Sequence, residues 1–200
     1  MGGEALIVVD MQRGFMEPTL PGIPYLEDSV QVRSGVESAV HAARDSGFAV
    51  IFTQHALRAG GEDVPVWLQN QIPTGWMVRG SEATHFWPTL TPEPDEPVVV
   101  KNRFDAFLYT ELDQVLRLRS IDSLYVCGIL TNYCVESTAK SAMQRDYRVT
   151  VLGDATAATD FETHRRALDA LRSYTIEVKS SSEIFEDSGA GAQRSGASLV

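Results

Sequence analysis

Several things are scarce in this chain of 200 residues, and each scarcity removes a class of protein. It carries only two cysteines, Cys127 and Cys134, too few for a disulfide framework and in keeping with a reducing, cytoplasmic setting. Positive charge is short: Lys+Arg is 17 against Asp+Glu 27, a net charge of −10. With no basic run either, the sequence predicts no nucleic-acid partner and no anionic membrane surface. No apolar stretch approaches the roughly 18 residues of a membrane helix. The opening MGGEALIVVDMQ sets an acidic residue on each side of its short apolar run, which is not the pattern of a signal peptide. The residues after the first apolar run are DMQRGF, so the G-x-G-x-x-G fingerprint of a dinucleotide-binding module is missing as well.

Apolar residues are not scarce. They make up 44% of the chain, enough to bury a core without disulfides or metals. They gather in six short runs: Ala5–Val9, Phe48–Thr53, Val98–Val100, Ser123–Cys127, Arg148–Leu152 and Tyr174–Val178. Most are continuously hydrophobic, as strands of a parallel sheet covered on both faces must be. Between most of them lie helix-length segments: Ser29–Ser46, with an apolar stripe through Val32, Val36, Ala39, Val40 and Ala43, then Glu111–Arg119, Cys134–Arg145 and Glu162–Ser173. The alternation predicts an α/β fold of a single domain, a three-layer α-β-α arrangement around a doubly wound six-stranded parallel sheet. That domain is expected over residues 1–186. Residues 187–200 follow as a flexible tail, since nine of the eleven from Ser188 to Ser198 are Gly, Ala or Ser. Two connections are long. Gly14–Glu27 carries three prolines, and Arg58–Pro97 carries the other six and all three tryptophans, the composition of a lid or pocket wall.

Ligands of an open parallel sheet bind beyond the carboxyl ends of its strands, where the strand order reverses. Asp10 ends the first strand, Lys101 ends the third, and Cys134 follows the fourth. An acid, a cation and a thiol at one sheet edge make an activated nucleophile. Cys134 is expected in the first turn of a helix capped by Thr131 or Asn132, where the dipole and Lys101 would lower its thiol pKa. Asp10 could then take the thiol proton and pass it to a leaving nitrogen. Cys127, inside an apolar strand, is expected to be core.

These residues carry a resemblance. LIVVDMQRGF around Asp10, VVKNRFDAF around Lys101, CGILTNYCVESTAKSA around Cys134 and VTVLGDATAA with His164 downstream are similar to the isochorismatase-like cysteine hydrolase superfamily. Its members include N-carbamoylsarcosine and ureidoacrylate amidohydrolases, nicotinamidases and isochorismatases. The match runs to about Val178. It implies a catalytic triad of Asp10, Lys101 and Cys134, a cis peptide at Ile129–Leu130, and an oxyanion hole formed by the N–H groups of Leu130 and Cys134. It implies a C–N hydrolase that opens an amide, carbamoyl or ureido group of a small molecule through a thioester, with no cofactor, working as a homodimer or homotetramer. His164 is expected to be structural or at a subunit contact. Substrate contacts are expected from Gln12, Phe15, Gln54, His55, Arg58, Arg103 and Phe107, with Trp67 or Trp87 as candidates from the long loop.

Two departures narrow the choice. Nicotinamidases carry an Asp-x-His pair for a metal after the second strand. Here the stretch is TQHALR, with His55 and Leu57 at those places and only His85 nearby, so no metal site is expected. The Thr-x-His-x-x-Arg pattern instead resembles the carbamoyl- and ureido-hydrolysing branch. Some isochorismatases lack the cysteine, because a vinyl ether is opened by acid catalysis. Cys134 therefore weighs against a vinyl ether hydrolase, which stays as the alternative together with the metal-dependent nicotinamidase. A catalytically dead interaction protein is disfavoured by the intact Asp–Lys–Cys set.

Overall fold

Six parallel strands form the middle layer of the molecule: β1 (Gly3–Val9), β2 (Ala49–His55), β3 (Val98–Lys101), β4 (Ile121–Ile129), β5 (Arg148–Ala157) and β6 (Glu177–Lys179). The computed structural model describes residues 2–20, 26 and 29–185. Part of the first long connection and the expected tail at 187–200 lie outside the described residues. Among the described residues the helices are α1 (Arg13–Met16), α2 (Ser29–Asp45), α3 (Leu112–Leu118), α4 (Glu136–Met143) and α5 (Phe161–Ser173), with a 3₁₀ turn (Glu82–Thr84), a π turn (Thr131–Val135) and further helical residues at 181–185.

Because successive side chains of a strand point to opposite faces, β1 feeds two cores. Leu6 and Val8 pack on one face with Val36, Ala39 and Val40 of α2. Ala5, Ile7 and Val9 pack on the other with Leu112 and Leu116 of α3, Val135 and Ala139 at the start of α4, and Leu171 of α5. This is the expected single-domain, three-layer α/β architecture. The strand order is β3-β2-β1-β4-β5-β6. It reverses between β1 and β4, so the crevice for a ligand opens beyond Val9 and Ile129.

The boundaries differ from the sequence pattern where backbone geometry intervenes. Tyr174, expected to open the sixth strand, instead follows α5; Thr175 turns the chain at φ +62°, and β6 is only three residues. β4 and β5 run past their apolar cores, to Ile129 and Ala157, by way of a register shift after Val126. The segment expected as a helix from Cys134 begins earlier, at Thr131, as a π turn, and becomes α-helix only at Glu136.

Gly128 is required at the crevice. Its φ is +108°, and a Cβ there would stand 2.1 Å from the carbonyl oxygen of Val9. Only glycine lets the end of β4 lie this close to β1. The long connection after β2 folds onto the body rather than standing off it: Trp76, Met77, Ala83 and Leu90 are buried in the α2-side core. Among the described residues no helix is long and apolar enough to cross a membrane.

Candidate active site

The ends of β1 and β3 and the turn after β4 bring Asp10, Lys101 and Cys134 into contact. Asp10 leaves β1 with φ +51°, a left-handed conformation that Asp tolerates better than most residues. Lys101 Nζ stands 2.6 Å from Asp10 Oδ2. It donates to the carbonyl of Arg103 at 2.9 Å and to Cys134 Sγ at 3.3 Å. The three protons of the ammonium are therefore all committed. Asp10 Oδ1 accepts from Thr53 Oγ1 at 2.6 Å, and Thr53 Oγ1 accepts the Asp10 N–H at 3.1 Å. Oδ2 has no hydrogen-bond partner beyond the lysine ion pair among the described residues. The peptide bond between Ile129 and Leu130 is cis.

The electrostatics of Cys134 are opposite to the expected ones. Burial pushes its thiol up to about 12; Lys101 pulls downward and Asp10 pushes upward. The lysine charge is already matched by Asp10 in a site where both are buried, so a thiolate would be a second anion beside one cation. Burial also acts on Lys101, in the lowering direction, but the carboxylate and sulfur outweigh it and its pKa is raised. Burial thus favours the neutral thiol beside the Asp10–Lys101 ion pair. The expected cap is absent as well: Leu130 begins the π turn without a side-chain cap, Thr131 Oγ1 pairs with His164 Nδ1 at 2.9 Å, and Asn132 Oδ1 has no partner among the described residues. That contact gives His164 a structural role on the back of the turn. Cys127 is fully buried in the core, and burial raises its thiol far above the ordinary range.

A cavity of about 440 Å³ opens on the exposed side of Cys134. Its floor includes Ile129, Leu130 and Cys134, which is 7% exposed. Phe15, His55 and Trp76 form one wall, with ring centroids 5.1–6.3 Å apart. Trp67, Phe104 and Tyr133 form the mouth, with successive centroids 4.9 and 5.0 Å apart.

Of the seven expected substrate contacts, Phe15 and His55 line this cavity and five do not. Gln12 is buried and clamps the main chain of β2: it accepts the His55 N–H at 2.7 Å and donates to the carbonyls of His55 and Thr84 at 3.0 Å. Gln54 donates to the same Thr84 carbonyl. Arg58 is exposed on a separate cleft. Arg103 turns its guanidinium to the carbonyls of Asp63 and Asn102. Phe107 packs in the far-side core against Tyr147, under Arg145. Gln12, Gln54, Arg103 and Phe107 are thus engaged by partners in the fold, and Arg58 faces another cleft. Trp67 is at the mouth, whereas Trp87 lies elsewhere, beneath Arg33.

Thr53, Trp76, Phe104 and Tyr133 were not among the expected site residues. Thr53 had a signal, a lone hydroxyl in the buried run VIFTQH. The aromatics had none, because their directions are set by loops.

The metal of the nicotinamidase pattern does not fit these residues. Leu57 is buried, with its backbone paired to Met77 and Arg79, and His85 is exposed. Among the described residues no three of His, Cys, Asp or Glu come together as a ligand set.

A parallel sheet with a buried acid, amine and thiol at its switch point defines a hydrolase with a cysteine at its centre. The isochorismatase domain model matches residues 4–183, and the chain belongs to that family. It is 33% identical over 192 residues to the ureidoacrylate amidohydrolase RutB of Methylobacterium radiotolerans, covering 84% of this chain and 73% of the relative. A cysteine hydrolase from Pseudomonas syringae pv. phaseolicola superposes with a TM-score of 0.87 at 30% identity, covering 94% of this chain and 92% of the other. The N-carbamoylsarcosine amidase of Thermoplasma acidophilum superposes at 0.75 with 25% identity, covering 91% and 98%. The chain is an enzyme, a hydrolase of C–N bonds of the amidohydrolase kind.

Proposed function

We propose that Cys134 is the nucleophile of this hydrolase, working with Asp10 and Lys101 on the amide, carbamoyl or ureido group of a small molecule. The observation that carries this is the junction of Asp10, Lys101 and Cys134 at the floor of an accessible cavity. With a neutral resting thiol, proton transfer accompanies attack. Asp10 Oδ2 takes the proton as Sγ bonds to the carbonyl carbon, and the carbonyl oxygen becomes an oxyanion. The N–H groups of Leu130 and Cys134 are the proposed oxyanion hole, as both residues line the cavity floor. The carbon–nitrogen bond then breaks, Asp10 returns the proton to the departing nitrogen, and a thioester remains on Cys134. Water, deprotonated by Asp10, opens the thioester to the acid and restores the thiol. Lys101, in contact with both Asp10 Oδ2 and Cys134 Sγ, holds the carboxyl beside the sulfur while the proton moves between them.

In the same proposal the hydrolase domain is residues 1–186, with 187–200 as a tail. The enzyme is cytoplasmic, needs no cofactor and acts as a homodimer or homotetramer without nucleic-acid or membrane partners. Two free, buried cysteines and the acidic charge balance support the compartment and the partners. The family resemblance supports the oligomer.

The test is ammonia release from a panel of primary amides and ureido acids by wild type and Cys134→Ala, with mass spectrometry of an acid-quenched reaction. Loss of turnover in the variant and an acyl adduct on the peptide bearing Cys134 are expected. Full ammonia release by Cys134→Ala would remove Cys134 as the nucleophile, and no release from any compound by wild type would favour the vinyl ether alternative.

A further inference from the structure

The cavity beside Cys134 has aromatic walls and no cation in them. Its lining among the described residues includes neither lysine nor arginine. The nearest positive charges are occupied: Lys101 by Asp10, Arg103 O and Cys134, and Arg103 by the carbonyls of Asp63 and Asn102. Arg58 lines a different cleft. One polar side chain stands out. His55 is 2% exposed, lines the cavity, and has no hydrogen-bond partner at either ring nitrogen among the described residues. Its main chain is clamped by Gln12, so the ring is held in the wall by its backbone.

We infer that the part of the substrate seated in this cavity is an uncharged ring, and that His55 recognises one hydrogen-bonding group on it. This rests on the amidohydrolase proposal above and adds the substrate class. A carboxylate brought into these walls would lose its hydration and find no cation in return. The ureidoacrylate named for the curated relative is such an anion, so this chain differs from that relative in what it accepts. A flat apolar ring suits the walls, because Phe15 and Trp76 flank its seat and Trp67, Phe104 and Tyr133 offer faces at the mouth. Burial and the nearby Lys101 hold the imidazole neutral at ordinary pH. It therefore presents one N–H donor and one bare nitrogen, a match for a hydroxyl or carbonyl, and brings no positive charge to balance a carboxylate. An unpaired buried polar group of this kind is costly until a ligand pairs with it, which makes it selective.

Binding and turnover separate this inference from the proposal beneath it. Binding of benzamide, the three hydroxybenzamides and 4-carboxybenzamide to Cys134→Ala is measured by calorimetry. The best uncharged compound is expected to bind at least about tenfold more tightly than the carboxylated one. Equal or tighter binding of the carboxylate, or failure of every uncharged compound to bind, overturns the inference. Ammonia release by wild type from the same compounds, phenylurea and a ureido acid decides the amidohydrolase proposal on its own. If nothing is hydrolysed, that proposal falls while the binding result still stands. In His55→Leu the preference for the best hydroxybenzamide over benzamide, about tenfold in the His55 protein, is expected to vanish. An unchanged preference, or none to begin with, removes His55 from recognition.

Discussion

Thr53 holds Asp10 from two sides: its hydroxyl donates to Asp10 Oδ1 at 2.6 Å and accepts the Asp10 N–H at 3.1 Å. The left-handed turn at the end of β1 and the direction of the carboxylate are fixed by one side chain on the neighbouring strand. Thr53→Val keeps the shape and removes both bonds. A hydrogen bond to a charged group contributes about 1.5–3 kcal/mol, so a stability loss in that range is expected, with kcat falling about tenfold or more and KM little changed. Denaturant midpoints and steady-state kinetics check this; unchanged kcat would mean that Asp10 needs no such anchor.

Asp10 and Lys101 are worth more together than apart. Lys101→Met leaves a carboxylate buried without its cation, a defect that costs about 3–5 kcal/mol. Asp10→Asn removes the proposed proton carrier and is expected to lower kcat by about 10²–10⁴-fold. The double variant Asp10→Asn/Lys101→Met is expected to regain stability over Lys101→Met while staying inactive. Two independent stability losses that simply add would refute the pairing.

Because burial pushes the Cys134 thiol up to about 12, alkylation by iodoacetamide at pH 7 is expected to be slower than that of a free thiol and to keep rising beyond pH 9. Cys127, deeper in the core, is expected to stay unmodified in the folded protein. Asp10→Asn takes away an anion that opposes the thiolate, so it is expected to react faster with iodoacetamide while hydrolysing more slowly. An alkylation midpoint below pH 8 in wild type would place the resting negative charge on sulfur instead.

His55 makes the fold sensitive to acid. Its folded pKa is lowered to about 3 by burial and by Lys101, whereas in the unfolded chain it titrates near 6.5. Between those values the unfolded state holds a proton that the folded state refuses, so stability falls as pH drops through this window. Thermal unfolding from pH 7 to 4 is expected to show a shallower decline in His55→Phe than in wild type. Parallel curves would mean that His55 does not set this acid dependence.

Extensive chelation is expected to leave turnover unchanged, since the residues at the nicotinamidase ligand positions include a buried leucine at 57. Loss of activity restored by Zn²⁺ would show a ligand set outside this arrangement.

The fold was legible because its signals are local. Runs such as ALIVV and the stripe of Val32, Val36, Ala39 and Val40 dictate buried strands and a one-sided helix wherever they stand. The edge of the sheet that carries Asp10, Lys101 and Cys134 follows from strand ends alone. What the sequence hid depends on partners brought from far away. Gln12, Gln54 and Arg103 have the chemistry of substrate contacts, yet each satisfies a main-chain group of another segment. Trp76 comes from a loop whose path no periodicity describes. The ionisation of Cys134 is a sum over burial and two opposite charges on other strands, and no spacing encodes that sum.

The sheet order has one more consequence. β2 lies between β1 and β3, so Lys101 reaches Asp10 across the end of an intervening strand, over roughly two strand spacings or about 10 Å. The long, slender lysine stem can make that crossing, and it does so only once β3 has docked against β2. Under the role proposed for Lys101, turnover therefore reports on whether β3 has docked. A chain whose outer strand has not docked is then expected to be chemically silent even with its other strands paired.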